Sequence, residues 1–234
     1  MRGIKGCFMR QQGIFDPTKI KNTPVHIIGC GGIGSPTAFI LAKMGINKLH
    51  LWDDDTICEH NIPNQVFPTG SVGELKVEAL RDLLDLFTED DVTIEVHNEK
   101  VNASTRRQLH GIVICGVDSL EARREIWPAI KTNPKIKFYL DGRMGGEACN
   151  LYSFNPSDTK TAADYEKTLE GKGEELPCTE RAILYTVFMA ASLIARQVKR
   201  YANGQEIIWE EFFSLKEPNL LYYQFDNHNT PRKG

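Results

Sequence analysis

The sequence predicts an α/β fold with a mostly parallel sheet flanked by helices, and three observations predict it. Short apolar runs alternate with stretches of helical periodicity up to Asp141, the succession that builds βαβ units. Gly29, Gly31 and Gly34 stand at G-x-G-x-x-G spacing directly after the first apolar run. An acidic cluster, Asp53 to Asp55, closes the second run about twenty residues further on. Together these describe a Rossmann-like start.

Each element has its own justification. "VHIIG" is a short buried strand, and "GSPTAFILAKMG" a helix, with Ser35 and Pro36 suited to its start and Gly45 to its end. "KLHLW" is the second strand. In "GELKVEALRDLLDLF", Leu75, Ala79, Leu83, Leu86 and Phe87 fall at helical spacing. "VTIEVH", "GIVICGVD" and "KIKFYLD" read as strands, with helical "SLEARREIWPAI" between the last two. Beyond Asp141 the pattern changes. "ACNLYSF", "IIWEEFFSL" and "LLYYQF" read as strands of an antiparallel C-terminal part. Between them, "NPSDTKTAADYEKTLEGKGEELP" has few residues able to form a core. It reads as a long surface loop, with 156–177 a mobile crossover. "DGRMGGEA" fits a flexible entry and a packed strand–turn equally well.

The 234 residues suit one domain, 1–234, and 41% hydrophobic with 25% charged residues is an ordinary globular composition. A net charge of −3 argues against nucleic acid or an anionic membrane as partner. The paired arginines Arg106–Arg107 and Arg123–Arg124 sit among acids and read as solvated helix faces. "MRGIKGCFMRQQG" lacks the apolar core of a signal peptide. The uncharged run "AILYTVFMAASLIA" is fourteen residues, short for a bilayer and suited to a buried helix. Six scattered cysteines without a C-x-x-C pair suggest reduced thiols in a cytoplasmic protein, and no zinc is expected.

The glycines permit a tight strand-to-helix turn and aim a helix N-terminus at a phosphate, whether of NAD or of ATP. Asp53 is placed to bond ribose hydroxyls, which both nucleotides possess. Lys76 stands near a helix start, where a cation is unfavourable to the helix dipole unless it has another partner, and phosphate is such a partner. Asp118 follows the fourth strand at the rim where open parallel sheets bind ligands, and beside a triphosphate it suits a Mg²⁺ ion. A surface Lys76 and an Asp118 that caps the following helix are the plain alternatives.

"GCGGIGS", "LWDDDTICEHN", "GELKVEAL" and "GVDSLEARR", in that order, resemble the ThiF/MoeB/ubiquitin-activating (E1-like) superfamily over roughly residues 10 to 200. The resemblance implies ATP- and Mg²⁺-dependent adenylation of the C-terminal carboxylate of a ubiquitin-like, β-grasp protein ending in Gly-Gly. It implies that Gly31, Gly32 and Gly34 line the nucleotide loop, joined by Gly29 at its head, and that Asp53 holds the ribose. Asp55 and Asn61 would shape the pocket, Gln65 and Lys76 would face the phosphates, and Asp118 would bind Mg²⁺. Asn64 stands where the family's "N-x-x-R-Q" pattern has arginine, so the pocket lacks that cation. Arg10, in "FMRQQG", matches an arginine that reaches across a homodimer interface. Cys178, in "ELPCTERAIL", matches a cysteine that takes the activated acyl group in some branches, and packing at a turn is its alternative. The chain resembles a compact, stand-alone member without the zinc cysteines of the ThiF and MoeB branches.

Other readings stay open from the residues. ATP could activate a peptide C-terminus or a tRNA-linked carboxylate. A non-catalytic nucleotide-binding module would accommodate Asn64. An NAD-dependent oxidoreductase fits less well, since Lys76 and Asp118 have no hydride-transfer role.

Overall fold

The computed structural model describes residues 8–88, 92–171 and 182–216, and the backbone at 221–225 and 231–233. The order is β1 (Val25–Ile28), α1 (Gly34–Met44), β2 (Lys48–Trp52), α2 (Lys76–Asp85), β3 (Thr93–His97), β4 (Gly111–Cys115), α3 (Leu120–Ile130) and β5 (Ile136–Gly145). Then follow β6 (Ala148–Phe154), α4 (Thr159–Lys167), α5 (Leu184–Ala202), β7 (Glu210–Ser214), β8 (Leu221–Phe225) and β9 (Pro231–Lys233).

One sheet contains all nine strands in the order β3-β2-β1-β4-β5-β6-β7-β8-β9. The pairs from β3 to β5 are parallel and those from β5 to β9 antiparallel. The expected Rossmann-like fold with antiparallel C-terminal strands is the one the chain adopts. The order reverses between β1 and β4, which opens a crevice at the carboxyl ends of those two strands.

Alternation along the strands sorts the core into two layers. Val25, Ile27, Leu49, Leu51, Ile112 and Ile114 face α1, α2 and α5, packing on Leu41, Leu80 and Ile194. Ile28, Trp52, Val113, Cys115 and Tyr139 face the other way, against Ile126 and Trp127 of α3 and Tyr165 of α4. The apolar run at 182–195 supplies much of α5, whose Val187, Ala191 and Ile194 are fully buried against the first layer. Among the described residues no helix is long and apolar enough to cross a membrane.

One expectation is corrected, and one left open is decided. The stretch read as loop carries α4 at Thr159–Lys167, capped by Asp158, whose carboxylate accepts the N–H groups of Lys160 and Thr161. Ala162, Tyr165 and Leu169 recur at helical spacing and are buried, so three positions suffice to dock it. "DGRMGGEA" is a packed strand–turn, because β5 runs on to Gly145 and pairs with β6 up to Gly145↔Ala148.

Candidate functional site

The glycine turn sits at the switch point. Gly29 adopts a left-handed φ of +85° and donates its N–H to Trp52 O at 2.8 Å. A Cβ on Gly34 would lie 1.8 Å from Gly29 O, so only glycine lets α1 start this close to β1. Gly31 and Gly32 are different. A methyl there would meet Gln65 Nε2 and Asn64 O at 3.7 Å, an ordinary contact. The 64–65 segment therefore lies beside the bare Cα atoms of Gly31 and Gly32. The start of α1 has no side-chain cap; Ser35 N–H donates to Gly31 O at 3.0 Å and Pro36 has no N–H, which leaves the Gly34 N–H and the helix dipole to face an anion.

Three charged groups gather beside the turn. Asp53 Oδ2 accepts the Cys30 N–H at 2.7 Å and Oδ1 accepts the Asp55 N–H at 2.9 Å. Lys76, the first residue of α2, lies buried with Nζ 2.7 Å from Asp55 Oδ2 and 3.9 Å from Asp53 Oδ1. Burial pushes the Asp53 carboxyl above its ordinary value, and Lys76 offsets only part of this. Burial also works against the Lys76 charge, but Asp53 and Asp55 outweigh it and keep the ammonium protonated. The reading of Lys76 as a surface lysine is thus corrected: two carboxylates hold it at the mouth of the turn.

The remaining predicted residues fall in three groups. Gln65 is half-buried against the turn, and its Oε1 is buried without a hydrogen-bond partner among the described residues. Asn61 folds its own loop, its Oδ1 accepting the Cys58 N–H at 2.9 Å, while Asn64 reaches the turn through its main-chain carbonyl. Asp118 is exposed at the end of β4, one residue beyond Val117, whose N would meet a Gly29 Cβ at 3.0 Å. It does not cap α3, because Ser119 Oγ accepts the Ala122 N–H there. Arg10 is exposed and lies away from the turn. Its segment is tied to the opposite end of α1, through Gln11 Nε2 donating to Met44 O at 2.8 Å and Phe8 packed at Gly45. Cys178 lies outside the described residues.

Sequence reasoning missed the group that steadies Asp118. Arg123, read as a solvated helix residue, is buried, and the reason is Asp141, a fully buried carboxylate on β5. Arg123 Nε donates to Asp141 Oδ1 at 2.8 Å and its other nitrogens to Ser119 O and Gly142 O, fastening the turn that carries Asp118. Arg143 Nε and the Tyr165 hydroxyl donate to Asp141 Oδ2 at 2.7 and 3.0 Å. Burial opposes ionisation of Asp141, but the two guanidiniums outweigh it and hold its carboxyl below the usual range. Arg106, in the other arginine pair, donates to Pro128 O, Ala129 O and Lys131 O at the end of α3.

Fold and site together define a Rossmann-like α/β protein with a glycine turn at the switch point of its sheet. Comparison with known proteins makes the class specific: the chain belongs to the ThiF family, whose model matches residues 9–233. Its relatives include ubiquitin-like modifier-activating enzyme 5 of Drosophila virilis, 32% identical over 168 residues, 65% of this chain and 42% of that protein. The tRNA threonylcarbamoyladenosine dehydratase of Haemophilus influenzae is 26% identical over 157 residues, 65% of this chain and 57% of that protein. The chain spans less than half the length of the activating enzyme. Among solved structures, Escherichia coli MccB with MccA-N7isoASN superposes with a TM-score of 0.73 at 17% identity, covering 95% of this chain and 72% of that one. MccB with ATP gives 0.69 at 19% identity, covering 89% and 65%. At such identities the likeness is one of fold.

Proposed function

We propose that the protein adenylates a C-terminal carboxylate with ATP, and that the carboxylate belongs to a ubiquitin-like protein ending in Gly-Gly. The observation that carries this reading is the glycine turn with Lys76 and Asp53 beside it and with Gln65 Oε1, which has no hydrogen-bond partner among the described residues, against Gly31. In the reaction a carboxylate oxygen of the partner forms a bond to the α-phosphorus, the bond to the β-phosphate bridging oxygen breaks, and pyrophosphate leaves with that electron pair. The Gly34 N–H and the dipole of α1 would face a phosphate oxygen. Asp53 keeps lone pairs free for a ribose hydroxyl, since two N–H donors use only part of its capacity. Lys76 offsets charge repulsion between triphosphate and incoming carboxylate.

Asp118 offers the hard oxygen donor that Mg²⁺ takes together with substrate phosphates, and the ion would supply further charge compensation there. Arg10, held at the far end of α1, would serve the site of a second copy in a homodimer. Cys178 would act after adenylation, its thiolate attacking the acyl carbon to form a thioester as AMP departs.

The relatives named as ubiquitin-like modifier-activating enzymes support this acceptor. The fold likeness to MccB favours a second reading, a short peptide C-terminus entering the same site. Pyrophosphate exchange into ATP, with a Gly-Gly-ended ubiquitin-like protein or a short peptide as the stimulating partner, separates the two. Asp118→Ala should abolish exchange by either partner while thermal unfolding stays as in wild type. A variant that exchanges normally, or fails only because it unfolds, removes Asp118 from the chemistry. Lys76→Met should raise the ATP concentration needed for half-maximal exchange.

A further inference from the structure

A second set of chemistry-bearing side chains lies on the sheet edge away from the glycine turn. The parallel register sets His50 of β2 opposite Glu95 of β3 and Trp52 opposite His97, and the period of two turns Glu95 and His97 to the same face. His50 Nδ1 lies 3.3 Å from His97 Nε2 and 3.5 Å from Glu95 Oε2. Donor atoms of all three residues fall within 4.8 Å of one another. Zinc bonds to nitrogen of about 2.0–2.1 Å at the tetrahedral angle separate two nitrogen ligands by about 3.3–3.4 Å, which is the spacing of these imidazoles. Without an ion, the same two nitrogens are within reach of a long hydrogen bond, against the usual distance of about 2.9–3.0 Å.

Both imidazole rings are held by stacking. His26 stacks on His50 at 4.3 Å and 17°, and Trp52 stacks on His97 at 3.7 Å and 4°. Trp52 Nε1 donates to His26 Nδ1 at 3.1 Å, which joins the two supports. The buried His26 Nε2 beside them has no partner among the described residues. The His50 side chain is 13% exposed and Glu95 57%, so an ion can enter past the carboxylate.

We propose that His50, His97 and Glu95 bind a divalent transition-metal ion of the zinc class, with water completing the coordination. Two imidazoles and one carboxylate suit zinc and its borderline neighbours over Mg²⁺ or Ca²⁺. This site uses no thiol and is separate from the C-x-x-C pairs whose absence the sequence shows. The ion would clamp the edge strand β3 to β2. It would also brace the nucleotide side, because His97 O accepts the Asp53 N–H at 3.3 Å.

The test uses the full chain, stripped with chelator and titrated with Co²⁺ and then Zn²⁺. Saturation at one ion per chain, visible cobalt d–d bands of nitrogen and oxygen ligation, and a rise in Tm with Zn²⁺ are expected. Glu95→Gln, at an exposed position, should weaken binding about tenfold or more, and His97→Ala at least as much. Circular dichroism checks that both variants fold. Wild type that shows no saturable binding overturns the proposal. So does a thiolate-to-cobalt charge-transfer band, or affinity unchanged in both variants.

Discussion

Asp141 shows how much one side chain can organise. Its carboxylate receives Arg123, Arg143 and the Tyr165 hydroxyl with no exposure to solvent, while Arg143 also lies over the Tyr152 ring at 4.6 Å. Removing it leaves Arg123 buried without its counter-charge, so Asp141→Asn should cost about 3–5 kcal/mol in urea unfolding. The sign of the pH effect follows from the lowered native value. An unfolded aspartate titrates near about 3.9. The contribution of Asp141 is therefore complete above that range and is lost as pH falls through the lower native value. Urea midpoints measured from neutral pH downwards should fall steeply in wild type and less steeply in Asp141→Asn. Equal acid slopes would show that other carboxylates govern acid unfolding.

At the scale of elements, α4 is the piece whose existence depends most on a single cap. Asp158 holds its first turn, and Thr168, just past its end, receives Arg143 through both its carbonyl and its hydroxyl. Asp158→Ala should cost about 1 kcal/mol in thermal or urea unfolding. It should also raise amide exchange in α4 before the sheet is affected. Uniform exchange across α4 and the sheet would contradict this.

The same helix marks the limit of what the sequence shows. Strands such as "GIVIC" and the long apolar α5 declare themselves by period and composition. α4 docks by Ala162 and Tyr165, with Leu169 just past its end, amid polar residues, and its pattern looked like loop. The glycine turn and the closeness of Asp53 and Lys76 were legible because motif spacing and strand ends fix them. Arg123 was misread because its partner Asp141 lies eighteen positions away on another element. The clustering of His50 with His97 was equally hidden, since it needs the register of β2 on β3, although "EVH" already put Glu95 and His97 on one face.

For the whole molecule, the leader raises a question of reach. Gln11 and Phe8 fasten it at the carboxyl end of α1, and an eleven-residue helix is about 16 Å long, further than an arginine side chain extends. Arg10 therefore does not serve the glycine turn of its own copy from this position. In mixed samples, Arg10→Ala chains combined with Asp118→Ala chains should recover pyrophosphate exchange, while each alone is inactive. Failure to recover after verified mixing, or a monomer at working concentration, would remove Arg10 from the reaction.

The unequal glycines have a use beyond the chemistry they permit. Gly34 admits no side chain, so Gly34→Ala should give a chain that misfolds and disappears from extracts. Gly32 leaves ordinary contact room and has no left-handed backbone. Gly32→Ala should therefore fold with a wild-type Tm yet bind ATP more weakly, as calorimetry would read, and a Tm far below wild type would contradict this. Under the proposed function, such a chain would hold the partner whose carboxylate it no longer activates. Expressed beside the normal chain, it would work as a decoy that ties up the partner, turning one methyl group into a dominant inhibitor.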